Sequence, residues 1–199
     1  MAKVNYNQVN RKITLARKTQ RMAEEAARDR FISAKNQMMD DFNDHPVTRE
    51  LEDGSLANNI SGTLGYGNLF TFIGFYEGED PTDDIRQILN EAFLSREKKY
   101  EIKRNYFSFH YKVKAPTLDE IEVQTPYPDG WRGGSWTRGI EKGISNFPYY
   151  LFDDEDGYIT SRSGHGIQIK NMVQNRGSFT PTQYISQILR SFQNSLKAG

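Results

Sequence analysis

The stretch Asn68-Leu-Phe-Thr-Phe-Ile-Gly-Phe-Tyr76 is the most concentrated apolar run in the chain. Apolar side chains occupy both sets of alternating positions, so a strand formed here would be covered on both faces. Glycines precede the run at positions 62, 65 and 67, and further glycines break its end at 74 and 78. The pattern therefore predicts a fully buried strand at the centre of the core.

A helix is predicted directly after this strand. Asp80 fits the N-cap, Pro81 fits the first turn, and the acidic side chains that follow suit the positive end of a helix. Apolar side chains then recur at helical spacing. The predicted buried stripe consists of Ile85, Ile88, Leu89 and Phe93.

Two segments in the middle of the chain carry regular patterns. Lys99–Lys114 alternates between an apolar and a polar face, which predicts one strand ended by Pro116. Thr117 and Glu120 fit a capping box, which predicts a short helix. The apolar face of the strand is expected to consist of Phe107, Phe109, Tyr111 and Val113.

The C-terminal segment is predicted to form a well-capped helix. Thr180 fits the N-cap, Pro181 fits the first helical position, and Gln183 completes a capping box. Phe179 and Tyr184 suit a hydrophobic staple. The expected buried face consists of Ile185, Ile188, Leu189, Phe192 and Leu196.

The N-terminal segment from about Asn7 to Phe42 shows one long amphipathic helical pattern. His45-Pro46 is expected to end it, because the residue before a proline is pushed out of the α region. The connection that follows is polar, with one short helical turn predicted at Thr48–Leu51. The helix has a narrow, alanine-rich stripe that Gln20 interrupts. This stripe consists of Val9, Ile13, Ala16, Ala23, Ala27, Phe31, Ala34, Met38 and Phe42.

The charged residues at the start of this helix are all positive. Six cations precede the first acidic residue, Glu24. Two interpretations fit this pattern: a solvated helix face, or a contact with an acidic partner surface or with DNA phosphates. The cations are Lys3, Arg11, Lys12, Arg17, Lys18 and Arg21.

The composition narrows the class of protein. A hydrophobic share of 36% with an aromatic share of 13% predicts a modest core and many residues at the surface or at interfaces. A formal net charge of zero excludes a global basic field for nucleic acid. The absence of cysteine excludes disulfides, thiolate chemistry and sulfur-based metal sites. With no apolar signal region and no run of membrane-spanning length, a soluble intracellular product is expected.

The sequence offers only weak candidates for metal, calcium and dinucleotide sites. His45, His110 and His165 have no partner at metal-ligand spacing, so surface or interface roles are expected. The acidic loop Asp153–Gly157 fails the calcium-loop template, since Phe152 falls at the first ligand position. The Gly65-Tyr-Gly67 motif precedes a predicted strand instead of following one, so it is not a dinucleotide fingerprint.

Two aromatic or glycine-rich segments leave alternatives open. The Trp131 and Trp136 region fits either a carbohydrate or ligand platform or a turn pinned by large rings. Ser161–Gly166, which leads into a predicted strand at Ile167–Lys170, fits an anion-wrapping loop with Arg162, a plain turn, or a loop ordered by a neighbouring subunit. No nucleophile–base pair is recognisable, so we nominate no catalytic, cofactor-binding or metal-binding residue.

The order of these elements resembles a group of tailed-bacteriophage virion proteins. The resemblance is carried by the long N-terminal helix and by Asn68–Phe75, Gly134–Ser145, Tyr149–Leu151 and Ser161–Gly164. These phage proteins are the neck and tail-completion, or tail-terminator-like, proteins of the head–tail connector. The resemblance implies a protomer that forms a homo-oligomeric ring in the virion, between the portal or adaptor and the tail tube, with no cofactor and no active site. It also implies non-specific contact with DNA passing through the lumen, and no membrane partner.

The expected fold class is α+β, with a long N-terminal helix, a small and mostly antiparallel sheet packed by two amphipathic helices, and long loops. Residues 1–45 are expected to form an extended helix that serves in assembly, and residues 46–199 a single domain. Two competing classes remain. One is an enzyme or a carbohydrate- or nucleotide-binding domain that uses the Trp131–Trp136 region and the acidic loop. The other is a nucleic-acid-binding protein that uses the basic first helix.

Overall fold

The fold is α+β, as predicted, with a long N-terminal helix and a small antiparallel sheet. The computed structural model describes residues 5–65, 67–103, 107–128, 134–144 and 179–197. The helices are α1 (Tyr6–Leu15), α2 (Arg17–Asn43), α3 (Pro46–Glu52), α4 (Leu69–Ile73), α5 (Asp83–Asn90), α6 (Leu118–Gln124), α7 (Trp136–Lys142) and α8 (Ile185–Lys197), with a 3-10 turn at Gly54–Leu56. Strands β1 (Phe93–Ile102) and β2 (Phe107–Lys114) pair in the described part of the chain.

The prediction of a strand at Asn68–Tyr76 is wrong, because this segment forms helix α4. The Asn68 side chain accepts a hydrogen bond from the Thr71 amide at 2.9 Å and so acts as the N-cap. Gly74 ends the helix at a φ of 90°, in the left-handed region that favours glycine. A run that is apolar on every side suits a buried helix as well as a buried strand, and its periodicity does not separate the two.

The N-terminal helix is not continuous, contrary to the prediction. It breaks at Ala16, whose ψ of 128° is extended, so α1 and α2 are separate helices. The break frees the carbonyl of Thr14, which accepts a hydrogen bond from the Gln20 side-chain amide at 3.3 Å. Gln20 interrupts the apolar stripe in the sequence because its side chain stabilises the break between α1 and α2. The predicted end of the long helix is confirmed, since α2 ends at Asn43 before His45-Pro46.

Helix α3 is longer than the predicted turn at Thr48–Leu51, since it begins at Pro46.

Helix α5 begins later than predicted, because Thr82 and not Asp80 holds the N-cap position. The Asp80 carboxylate instead accepts from the Thr82 amide at 2.9 Å and from the Thr82 hydroxyl at 2.7 Å, which forms an Asx-type turn before the helix. Ile85 and Leu89 of the predicted stripe are buried.

The predicted single strand at Lys99–Lys114 is an antiparallel pair. Phe93 pairs with Lys114 at one end of the sheet, and Ile102 pairs with Phe107 at the other. Phe93, predicted on the buried stripe of the preceding helix, therefore starts β1 and is 50% exposed. The predicted alternation along β2 is confirmed for residues 110–114, where exposed and half-buried positions alternate.

Helix α8 begins at Ile185, so the predicted cap at Thr180 and Pro181 is wrong. The Thr180 amide donates instead to the Thr63 carbonyl at 2.8 Å. The two rings predicted as a staple pack elsewhere: Phe179 stacks on Phe72, and Tyr184 stacks on Phe42. The predicted buried face is confirmed for Ile185, Ile188, Leu189 and Phe192, while Leu196 is partly buried.

The core lies where α2 packs against α5 and α8, and it also includes buried side chains of α3, α4, α6 and α7. Phe31 on α2 contacts Phe192 on α8 edge to face, with ring centroids 6.4 Å apart. The α2 side chains that belong to this core are Phe31, Ala34, Met38 and Phe42. The C-terminal half of α2 is therefore part of the core of the chain, while the division into domains at residue 45 stays a prediction.

Candidate assembly interface

Residues 6–30 form a helical segment with an exposed apolar surface, which we call the basic arm. It comprises α1 and the part of α2 before Phe31, the first α2 side chain that reaches the core. Within these residues Thr14 is the one buried side chain. Five large apolar side chains are exposed instead, with Tyr6 at 58% and Met22 at 60%. They are Tyr6, Val9, Ile13, Leu15 and Met22.

Polar contacts attach the basic arm to the rest of the chain. The Asn10 side-chain amide donates to the Lys103 carbonyl at 2.9 Å, just past the end of β1. The Arg30 guanidinium donates to the Ser195 carbonyl at 3.2 and 3.1 Å from two nitrogens. A helical segment held in this way buries little apolar surface of its own, so it gains little stability from packing.

The basic arm carries exposed cations. Arg11, Lys12, Arg17 and Lys18 are all exposed. Arg21 forms an ion pair with Glu25 one turn later, at 3.0 Å. Because no acidic residue precedes Glu24 in the chain, all charged side chains in the first half of the basic arm are positive.

The alanine-rich stripe of α2 faces the sheet. Ala23, Ala26 and Ala27 line an open groove of about 600 Å³ together with β2 side chains. The hydroxyl of Tyr111 is buried there, and it has no hydrogen-bond partner among the described residues. Burial raises the pKa of Tyr111, and the charge of Glu24 raises it further. The narrow stripe in the sequence thus corresponds to a groove that the described residues leave open.

A second surface, on α5 and α6, carries acidic side chains around two neighbouring grooves. We call this surface the acidic face. The first groove measures about 460 Å³ and is lined by Ile88, Glu91, Phe93, Lys114, Ala115, Pro116, Asp119, Glu120, Val123 and Gln124. The second measures about 320 Å³ and is lined by Phe75, Glu79, Asp80, Pro81, Asp84, Gln124, Thr125, Pro126, Pro128 and Trp136. Gln124 borders both grooves, so the two form one continuous surface.

The acidic face also exposes apolar side chains. Val123 is 74% exposed beside Phe93, and Lys114 lies over the Phe93 ring at 5.8 Å from its centroid. From Tyr76 through Glu91 the chain has six acidic residues and one cation. That cation is Arg86, and its guanidinium pairs with Glu52, with Asp83 at 2.7 Å and with Asp80 at 3.8 Å. Asp84, Glu91 and Asp119 are exposed.

The two described histidines lie in different environments, His45 half-buried and His110 at the surface. His45 Nδ1 accepts from the Val47 amide at 3.2 Å, and Nε2 lies 3.2 Å from the Gln183 carbonyl. Burial lowers the pKa of His45, against the smaller opposing effects of the Gln183 carbonyl and of Glu141. His110 is exposed and contacts the Ser108 hydroxyl. His165 lies outside the described residues.

The remaining sequence candidates are only partly placed. Trp136 is buried in the core, where its ring meets Phe75 edge to face, so its ring is not an open platform. It begins helix α7, which Ser135 caps, instead of lying in a turn. Trp131, the acidic loop, Ser161–Gly166 and the predicted strand Ile167–Lys170 lie outside the described residues.

The described part of the chain lacks two specialised features, a metal-binding cluster and a membrane-spanning helix. No group of three or more histidine or acidic side chains is placed to hold a metal ion in that part of the chain. None of the described helices has the length and apolar character needed to cross a membrane. No protein-family model, curated protein or solved structure matches the chain.

Proposed function

We propose that this chain is a structural virion protein of a tailed phage, which forms a ring in the neck or head–tail connector. The observation that carries the proposal is the basic arm, a helical segment with five large exposed apolar side chains and one buried side chain. Such a segment gains stability when a neighbouring copy covers it. The resemblance described above adds the place in the particle, between the portal or adaptor and the tail.

The energetics favour assembly through several contacts at once. Burying the exposed half of five large apolar side chains contributes roughly 4–8 kcal/mol per arm. Association costs about 4–15 kcal/mol in lost rotational and translational freedom. One such contact is therefore weak by itself, and a closed ring, in which every subunit makes two contacts, suits it better than a dimer.

Particle mass and hydrogen exchange test the proposal on the full-length chain. We expect negative-stain images and mass photometry of the purified protein to show rings of several copies. Amides of residues 6–22 are expected to exchange fast in the monomer and slowly in the ring. Amides of residues 31–42 serve as the internal control, since Phe31, Ala34, Met38 and Phe42 pack this part of α2 into the core and exchange should be slow in both states.

Two results would contradict the proposal. The first is a protein that stays monomeric at every concentration tested, including near its solubility limit. The second is slow exchange across residues 6–22 in a verified monomer, because the arm would then be stable without a neighbour.

The exposed cations of the basic arm support a second candidate function, contact with DNA phosphates. Changing Lys12, Arg17, Lys18 and Arg21 to glutamine would then reduce the slope of DNA affinity against salt concentration by about one per lost phosphate contact. The expected affinity is low, since the net charge is zero. A high, salt-dependent affinity that the four substitutions remove would favour this second function.

A further inference from the structure

We infer that the basic arm of one copy docks on the acidic face of a second copy, in a head-to-tail contact. The inference rests on the proposed assembly and names the two surfaces that make it. Four properties of the described residues carry it: charge, separation, apolar surface and the difference between the two surfaces.

The charges of the two surfaces are opposite and nearly segregated. All charged residues of the basic arm before Glu24 are cations, whereas the segment from Tyr76 through Glu91 has six acids and one cation. The acids Asp119 and Glu120 on α6 extend the acidic face. Since the whole chain has a net charge of zero, one copy is attracted to another through these two surfaces without a repulsive total charge.

The cations at the start of the basic arm and the acidic face lie at opposite ends of β1 and of α2. The Asn10 contact with Lys103 places α1 at the far end of β1, while Phe93, at the other end of this ten-residue strand, lines the acidic face. Ten residues of strand span about 30 Å. Helix α2 gives a second measure: it has 27 residues and is about 40 Å long. Its last turn meets α5, where Arg86 lies over the Phe42 ring.

A separation of roughly 30–40 Å is several Debye lengths at physiological salt. The cations of α1 and of the first turn of α2 therefore cannot pair with the acidic face of the same chain. A second copy of the chain can satisfy that face instead, because every copy carries both a basic arm and an acidic face.

Both surfaces also have apolar side chains to bury. The grooves of the acidic face offer Phe93 and Val123, and the basic arm offers Val9, Ile13 and Met22, all of them exposed. Lysine and arginine stems can lie across such aromatic side chains while their charged ends reach carboxylates at the rim. Because the two surfaces differ, the contact is heterologous, and it makes a ring where the rotation between copies closes.

Charge reversal in matched variants tests the inference. The arm variant carries Lys12→Glu, Arg17→Glu and Lys18→Glu. The face variant carries Asp84→Lys, Glu91→Lys and Asp119→Lys. Three reversals change the net charge by six, and a control variant with Lys112→Glu, Arg190→Glu and Lys197→Glu matches the net charge of the arm variant. All nine side chains are exposed.

We expect the arm and face variants each to associate about tenfold or more weakly than the parent in low salt, with a smaller difference at high salt. The control variant should assemble as the parent does. An equimolar mixture of the arm and face variants should recover assembly, because each reversed surface then meets its complement. The variant with all six reversals of arm and face should recover it as well. Unchanged thermal melting of each variant shows that the fold is retained.

The outcomes separate this inference from the proposed function. If the parent forms rings and the arm and face variants form them equally well, the docking inference is overturned and the ring proposal stands. If association depends on both surfaces but yields open chains, the inference stands and the ring proposal is overturned. A monomeric parent overturns both. Loss of DNA affinity in an arm variant that still assembles overturns the inference.

Discussion

The buried carboxylate of Glu50 is expected to hold helix α4 in place. Glu50 lies on α3 and is fully buried. Its Oε1 accepts from the Leu69 amide, at the start of α4, at 2.7 Å, and its Oε2 accepts from the Ser61 amide at 2.9 Å. One side chain thus satisfies two backbone donors from two separate segments, and a carboxylate at a helix N-terminus is favourable.

Glu50→Ala removes both acceptors and leaves these two amide groups without their partner. The Leu69 amide is buried, and a buried unsatisfied donor costs about 1–3 kcal/mol, whereas the half-buried Ser61 amide loses a hydrogen bond worth about 0.5–1.5 kcal/mol. The substitution is therefore expected to lower the free energy of unfolding by roughly 1.5–4.5 kcal/mol. Glu50→Gln retains one oxygen and turns an NH2 group toward the other amide. It is therefore expected to cost about half as much.

Urea unfolding followed by circular dichroism measures these changes. Asp53→Asn is the matched control, since it makes the same acid-to-amide change at the exposed C-cap of α3, and it should shift the stability by less than about 0.5 kcal/mol. The reasoning is refuted if Glu50→Gln is as stable as the parent, or if the control is destabilised as strongly as Glu50→Ala.

The remaining predictions concern three other contacts of the core. Burial lowers the pKa of His45 below its usual 6.5, so the unfolded chain binds more protons and stability should fall as the pH drops below about 6.5. His45→Asn keeps an acceptor for the Val47 amide and should flatten this dependence between pH 7.5 and 5.5, whereas His110→Asn should not. Tyr184→Phe removes a buried 2.8 Å hydrogen bond to the Thr48 hydroxyl and should cost about 1–2 kcal/mol in urea unfolding, and an unchanged midpoint would contradict this. Deleting residues 180–199 removes the buried face of α8 and should abolish soluble expression, and a truncated protein with the parent's melting profile would argue against it.

The sequence by itself determined the elements whose signals are local. The capping box of Thr117 and Glu120 is present as predicted, because both hydrogen bonds join residues three apart. The buried face of α8 and the end of α2 before Pro46 were also predictable, since helical periodicity and the restriction before proline act within a few residues. The cations of the basic arm were visible for the same reason.

The tertiary structure alone decided the elements whose ends are satisfied from a distance. Helix α4 receives a carboxylate from Glu50, 19 residues away. The start of α8 receives one from Glu141, whose Oε1 accepts from the Ser186 amide at 2.7 Å across 45 residues. A local capping rule cannot predict such partners, so the helix start at Thr180 was wrong. Asn68 does cap α4 locally through the Thr71 amide, but the strand prediction at Asn68–Tyr76 failed because an apolar run without clear periodicity does not separate a buried helix from a buried strand.

One half of the candidate interface could be predicted from the sequence, and the other half depends on the fold. Its basic half is contiguous in the chain and could be predicted from the order of charges. Its acidic half combines α5, the start of β1 and α6, and these meet only because β2 returns beside β1 and brings Lys114 next to Phe93. The charges of that surface can be read from the sequence, but the grooves between them arise from packing, since only the folded chain brings residues 75–93 against residues 114–128 and Trp136.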